Sequence, residues 1–253
     1  MAKLVLFQGI ATLMGTIIGA GILGLPYVIN QSGLLIGLIE LVVLGLIILC
    51  VNLMMGEVML RTEGNHQLPG YAKRYLGNSG KTIMLIGMII GIYGPLLAYM
   101  IGTGEALHAI FPVFPPFVFS IVMFIILSTL VFLGLKAVEE SEFGMMFIVV
   151  GIILCISVWA LFTGRFEASF VQDFSLARFA LPYGVIIFAL IGMPALAEVR
   201  EELEGKEKLL KKAIIFGSLI PMLLYSVQLV LNRLQESKHV DEENLQIVFR
   251  YTL

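Results

Sequence analysis

Charged positions are sparse along this chain and divide it into long apolar intervals. None falls within 4–39, 41–56, 82–104, 106–135, 143–164, 179–197 or 213–232. A helix needs about 20 apolar residues to cross the hydrocarbon core of a bilayer. The pattern therefore predicts an all-α integral membrane protein with seven transmembrane helices, at about 5–29, 33–60, 82–110, 117–135, 143–163, 180–200 and 212–232. The second and third spans each contain one internal carboxylate, Glu40 and Glu105. "FPVFPPF" (111–117) reads as a short turn between spans three and four. The segment 61–81 reads as a loop with a short surface helix near "LPGYAKRYLG", and 199–212 as a charged, solvated turn.

Lys and Arg are distributed unevenly between the two sides. One side collects Lys3, Arg61, Lys73, Arg74, Lys81, Lys136, Arg200, Lys206, Lys208, Lys211 and Lys212; before the C-terminal tail the other collects Arg165 and Arg178. An excess of basic residues marks the cytoplasmic side, so the N-terminus is expected there, in a multi-pass protein of the cell membrane. The tail adds Arg233, Lys238 and Arg250 to the outer side.

The first and sixth spans carry residues that weaken a helix. Gly15, Gly19, Gly21 and Gly24 lie within ten positions, and Pro26 follows. Glycine is a weak helix former and proline interrupts the hydrogen-bond ladder. The sixth span contains "VIIFALIGMPALAEV" (185–199), whose Gly192-Met193-Pro194 matches Gly24-Leu25-Pro26 of the first. Five helices separate the starts of these two spans, an odd number, so they run in opposite directions. Unpaired peptide groups cost several kcal/mol in hydrocarbon and are tolerated where they line a cavity or meet a ligand. Weakened helices in matching positions of two inverted halves point to a transporter's central site. The competing reading of Gly15-x-x-x-Gly19 is close helix–helix packing.

Composition narrows the function classes. Hydrophobic residues make up 59% of the 253 and charged residues only 13%, against about 25% charged in soluble domains. The formal charge of -2, with no basic patch interleaved with aromatics, gives no indication of nucleic acid. Cys50 and Cys155 fall in apolar runs and are expected as small buried side chains, with neither a disulfide framework nor a metal site suggested. The opening apolar run is too long for a cleavable signal peptide. No HExxH, GxSxG or paired-carboxylate arrangement appears, so an intramembrane enzyme is the weakest reading and none is expected.

Several polar residues remain as candidates for ion or proton handling. Glu40 lies about seven residues into the second span, roughly 10 Å along its axis, where a charge is expensive and a functional role is the default hypothesis; structural pairing is the alternative. Glu105 and His108 share a helix face at i, i+3. They read either as a proton relay or as a polar pair at the wet end of a helix. Glu57 and Arg61, at i, i+4, are expected as a local ion pair or gate contact, and His66 has no assigned role.

"GTIIGAGILGLPYVINQSG" (15–33) resembles the first-helix signature of the amino acid–polyamine–organocation superfamily, in its amino acid permease branches. "FALIGMPALAEVREEL" (188–203) is similar to that family's sixth helix and the turn after it, and "GEVMLRTEGNHQLPGYAKRYLG" (56–77) and "YGPLLAYMIGTGEAL" (93–107) to its second-helix end and third helix. The resemblance covers about residues 5 to 225. It implies two inverted repeats of five helices, with helices one and six discontinuous around the substrate. The first repeat (helices 1–5) would be complete here and the second (helices 6–7) incomplete. By position it implies a carboxylate site on the backbone of Gly19, Ala20 and Gly21, with Thr16 and Ile17 facing the ammonium or an ion. Phe188, Ala189, Ile191 and Gly192 would face the substrate side chain, and Tyr99, or in its place Tyr93, would offer a hydroxyl or anchor packing.

The implied activity is secondary active transport of an amino acid or related amine by alternating access, with no cofactor and with H+ or Na+ as the coupling ion of a symport. The alternative is a membrane sensor or partner subunit that keeps the amino acid site. The fifth span lacks the lysine of some proton-coupled relatives, and the eighth helix that supplies sodium ligands in others has no counterpart. Residues 1–226 are read as an incomplete permease domain and 227–253 as a polar tail, non-native or frame-shifted. A truncated permease, or one whose fold a second chain completes, is the expectation.

Overall fold

A computed structural model describes residues 2–19, 21–132, 148, 151, 155 and 179–236. Most of the predicted fifth span (143–163), Ala20, Lys136, Arg165, Arg178 and the tail from 237 lie outside the described residues. Within them the chain is helical, with no strand. The elements are α1 (Ala2–Ile17), α2 (Gly21–Ser32), α3 (Leu34–Arg61), α4 (Leu68–Ile110), α5 (Pro116–Phe132), α6 (Tyr183–Leu190), α7 (Leu196–Glu202) and α8 (Leu210–Glu236). Short 3-10 turns at Met193–Ala195 and Glu207–Leu209 precede α7 and α8.

Among the described residues four helical stretches are long and apolar enough to cross a membrane: Leu34–Arg61, Leu68–Ile110, Tyr183–Glu202 and Glu207–Leu231. The second predicted span coincides with α3. The third begins differently. Helix α4 starts at Leu68, inside the predicted loop, and its 43 residues would reach about 65 Å if straight, roughly twice a bilayer core. Gly77, at φ 72° and ψ -163°, breaks this length. Glycine adopts that backbone without the Cβ clash other residues meet, so the short surface helix and the membrane span join through one hinge residue. Helix α8 runs on to Glu236, past the composition change at Ser226, and buries Leu229 and Leu231.

The core forms where α1, α2, α3, α6, α7 and α8 meet. Helix α1 packs on α7 and α8, α2 on α6, and α3 on α6 and α8. Leu13, Leu41, Met59, Ile186, Leu196, Leu210 and Ile214 are fully buried there. Helix α4 packs chiefly on α5, close enough that a Cβ on Gly104 would stand 2.6 Å from the Pro116 carbonyl oxygen. The Ser120 hydroxyl donates to the Met100 carbonyl at 2.9 Å across the same contact. Ile83, Ile90, Leu97 and Ile101 face outward from this hairpin, the apolar exterior of a membrane helix.

Two expectations need correction. Cys50 and Cys155 are exposed rather than buried: an apolar run in a membrane helix has an outward face as apolar as its inward one, so hydrophobic neighbours do not imply burial. The turn at 199–212 is not wholly solvated, because Arg200 is 9% exposed and Leu203 is fully buried. The turn packs back onto the bundle and takes its first cation inside.

Candidate functional site

The first span is interrupted between Ile17 and Gly21. The Ile18 N–H still reaches the Met14 carbonyl at 2.7 Å, but the Gly19 N–H turns back to the Ile17 carbonyl at 2.9 Å. The sixth span is interrupted after Leu190. Ile191 is extended at φ -65° and ψ 111°, and the chain resumes through the 3-10 turn that starts at Met193.

The two interruptions meet. A Cβ on Gly192 would stand 2.6 Å from Leu13 Cδ1 and 3.0 Å from Ile17 Cδ1. A Cβ on Gly21 would overlap the Ala189 Cβ and lie 2.8 Å from the Ala189 Cα. Gly24 approaches Val185 and Gly9 approaches Val199. As numbering rises along α1 and α2 it falls along α6 and α7, so the segments are antiparallel across both breaks. Glycine here permits backbone contact that any side chain would block.

Two tyrosine hydroxyls converge on the first break. Tyr225 of α8 is buried, and its hydroxyl donates to the Ile17 carbonyl oxygen at 2.8 Å, which also accepts from the Gly19 N–H at 2.9 Å. That bond satisfies a carbonyl freed by the interruption. The Tyr99 hydroxyl lies where a Cβ on Gly19 would stand. Tyr99 is thus the tyrosine that α4 brings to the break, whereas Tyr93 is 62% exposed on the same helix. Tyr225→Phe keeps the ring and removes the donor. The Ile17 carbonyl keeps the Gly19 N–H, so the loss is that of one net hydrogen bond, about 0.5–1.5 kcal/mol; a thermal unfolding midpoint lower by a few degrees is expected, and an unchanged midpoint would deny the bond its role.

The remaining predicted residues divide by exposure. Ile17, Gly21, Ala189 and Gly192 are buried in the contact between the spans, while Thr16, Phe188 and Ile191 are exposed at its edges. The Thr16 hydroxyl donates to the Thr12 carbonyl at 3.0 Å within its own helix. Glu40 is 5% exposed, and among the described residues neither of its carboxylate oxygens has a hydrogen-bond partner. Glu105 and His108 are half-buried and are not hydrogen-bonded to each other among the described residues; His108 Nδ1 instead donates to the Phe114 carbonyl oxygen at 2.7 Å. Glu57 and Arg61 do pair, at an exposed position, where such a pair contributes little. His66 packs edge-on to Tyr71.

Arg200 ties the sixth span to the loop after α3. Its Nη1 donates to the Gly64 carbonyl at 2.8 Å and to the Tyr71 hydroxyl, and its Nη2 to the Thr62 carbonyl at 3.0 Å. The guanidinium carbon lies 5.9 Å from the centre of the Tyr71 ring, within cation–π range. Sequence reading missed both Arg200 and Tyr225. Arg200 looked like one cation among many in a polar turn. Tyr225 carried one signal, a hydroxyl inside the apolar run "IPMLLYSVQLV", but nothing there told which break it would face. Among the described residues no group of three or more metal-ligating side chains occurs.

A helical chain with several membrane-length apolar stretches is a multi-pass membrane protein. It belongs to the tryptophan/tyrosine permease family, which matches residues 3–232. Over 216 residues it is 25% identical to the tyrosine-specific transport system 1 of Haemophilus influenzae, an alignment covering 83% of this chain and 53% of that protein. The chain therefore spans about half the length of this curated relative. No solved structure matches the chain significantly.

Proposed function

We propose that the chain binds an aromatic amino acid, tyrosine or tryptophan, at the meeting of its two interrupted spans and takes part in moving it across the membrane. The observation that carries this reading is the contact itself: Gly21 against Ala189 and Gly192 against Ile17, with peptide groups released from helical bonding between them. Free N–H groups at the start of α2 suit a carboxylate, and free C=O groups at the end of α1 suit an ammonium. Phe188 and Ile191, exposed at the sixth-span break, offer apolar surface to an aromatic side chain. The family and the tyrosine transporter relative point to the same substrate class.

In this reading the two spans are the discontinuous helices of an inverted repeat of the amino acid–polyamine–organocation type. Their antiparallel contact supports that arrangement. Transport proceeds by alternating access without covalent chemistry, and the N-terminus and the Arg200 turn lie on the cytoplasmic side. Uptake of labelled L-tyrosine and L-tryptophan by proteoliposomes holding the 253-residue chain tests the reading. Saturable uptake, competed by either aromatic amino acid and not by lysine, is expected. Binding without uptake would assign the site to a sensor or partner subunit, and no binding would remove the site.

A further inference from the structure

We infer that Glu40 carries the proton that couples substrate movement, holding it in the packed arrangement seen here and releasing it when α2 and α6 move away from α3. The inference rests on the transport reading above and assigns its coupling ion.

The first support is burial without a partner. Glu40 is only 5% exposed, and both carboxylate oxygens lack a hydrogen-bond donor among the described residues. An ionised carboxylate in that position costs far more than a neutral acid, and a membrane interior offers no bulk water to offset the difference.

The second support is position. Glu40 lies on α3 between Gly37 and Gly45. A Cβ on Gly37 would stand 2.5 Å from Ile29 of α2, and one on Gly45 3.4 Å from Leu190, the last residue of α6. Helix α2 begins immediately after the first interruption, and α6 ends immediately before the second. The two half-helices that must move to uncover a central site are therefore the ones packed on either side of Glu40's level.

No fixed charge at that level replaces the proton among the described side chains. The titratable groups on the helices packed against α3 are Tyr27 on α2, Tyr183 on α6 and Tyr225 on α8, whose hydroxyl is committed to Ile17. Glu198, Arg200, Glu201 and Glu202 on α7 and Lys211 and Lys212 on α8 belong to the opposite end of α3. That end packs at Gly56 against Ile214, about 24 Å along the axis from Glu40. Met222 faces Gly45, and the side chains of α8 beyond Leu231 lie outside the described residues.

The step balances simply. The carboxylate takes one proton from water on one side of the membrane and returns it to water on the other, and no other bond forms or breaks.

Infrared difference spectra of the wild-type chain against Glu40→Gln, in nanodiscs at neutral pH, read the proton directly. A protonated-carboxyl stretch present in the wild type and lost in E40Q is expected, and its absence overturns the inference. L-tyrosine affinity measured across pH reads the coupling. One linked proton weakens wild-type binding by up to about tenfold per pH unit as pH rises through the titration. Glu40→Gln should bind with a flat profile and Glu40→Asp should keep the slope; a slope retained in E40Q overturns the inference. Should the infrared band be present while the wild type binds neither L-tyrosine nor L-tryptophan at any pH, the transport reading fails and takes the coupling with it, leaving only a protonated buried acid.

Discussion

Gly21→Val is expected to abolish tyrosine binding while the chain still inserts and can be purified. The obstacle is backbone. A Cβ at this position would overlap that of Ala189 and stand 2.8 Å from the Ala189 Cα, with the Tyr225 hydroxyl 3.0 Å away. Helix α2 and helix α6 must separate to admit it, and overpacking of this kind costs about 1–3 kcal/mol before any ligand contact is lost. An affinity loss of about a hundredfold or more is the expected reading. Insertion is untouched because valine is as apolar as the span around it.

Two companion changes make the test specific. At Gly192 the nearest atoms to an added Cβ are the ends of the Leu13 and Ile17 side chains, and at Gly19 the Tyr99 hydroxyl. Flexible side chains can turn aside where backbone cannot. Gly192→Ala and Gly19→Ala should therefore weaken binding less than Gly21→Ala. Equal losses at all three positions would show that the Gly21 contact has no special place in the site.

Arg200→Ala is the second large effect. It removes the donors that meet the Gly64 and Thr62 carbonyls and the Tyr71 hydroxyl. Hydrogen bonds to a charged group contribute about 1.5–3 kcal/mol each, less than additively. A total loss of about 3 kcal/mol corresponds to a fall of roughly 10 °C in the unfolding midpoint for a domain of this size. Arg200→Lys should recover only part of it, since an ammonium lacks the planar fork that reaches three acceptors at once. The loop at 62–67 should also become open to protease in Arg200→Ala, because that tie joins it to α7. A midpoint within about a degree of wild type would place the guanidinium's contribution near zero.

Hydrophobic spacing made the membrane class legible, since a bilayer imposes a length that composition alone can reveal. The positions where the spans would weaken were legible only in part: Gly19, Gly21 and Gly192 lie at the two interruptions, whereas the Gly24-Leu25-Pro26 step matched to Gly192-Met193-Pro194 lies inside helix α2. What the sequence could not supply was register between distant spans. Tyr225 reaches Ile17 only because α8 packs beside α1, and Arg200 enters the interior only because the loop after α3 ends in open carbonyls. Both facts depend on helix pairs more than a hundred residues apart. Boundaries were blurred where a single glycine rules: Gly77 joins the expected surface helix at 68–77 to the next span through one hinge. Exposure of Cys50 was illegible for a different reason, because membrane helices carry the same apolar residues on both faces.

Equilibrium binding of labelled L-tyrosine to the purified chain in nanodiscs, wild type beside Gly21→Val, tests the assignment of the site most directly. Saturable binding by the wild type, competed by L-tryptophan and lost in Gly21→Val, is the predicted result. Wild-type affinity that persists in Gly21→Val would contradict it, because the substrate would then be held somewhere other than the meeting of the two interrupted spans.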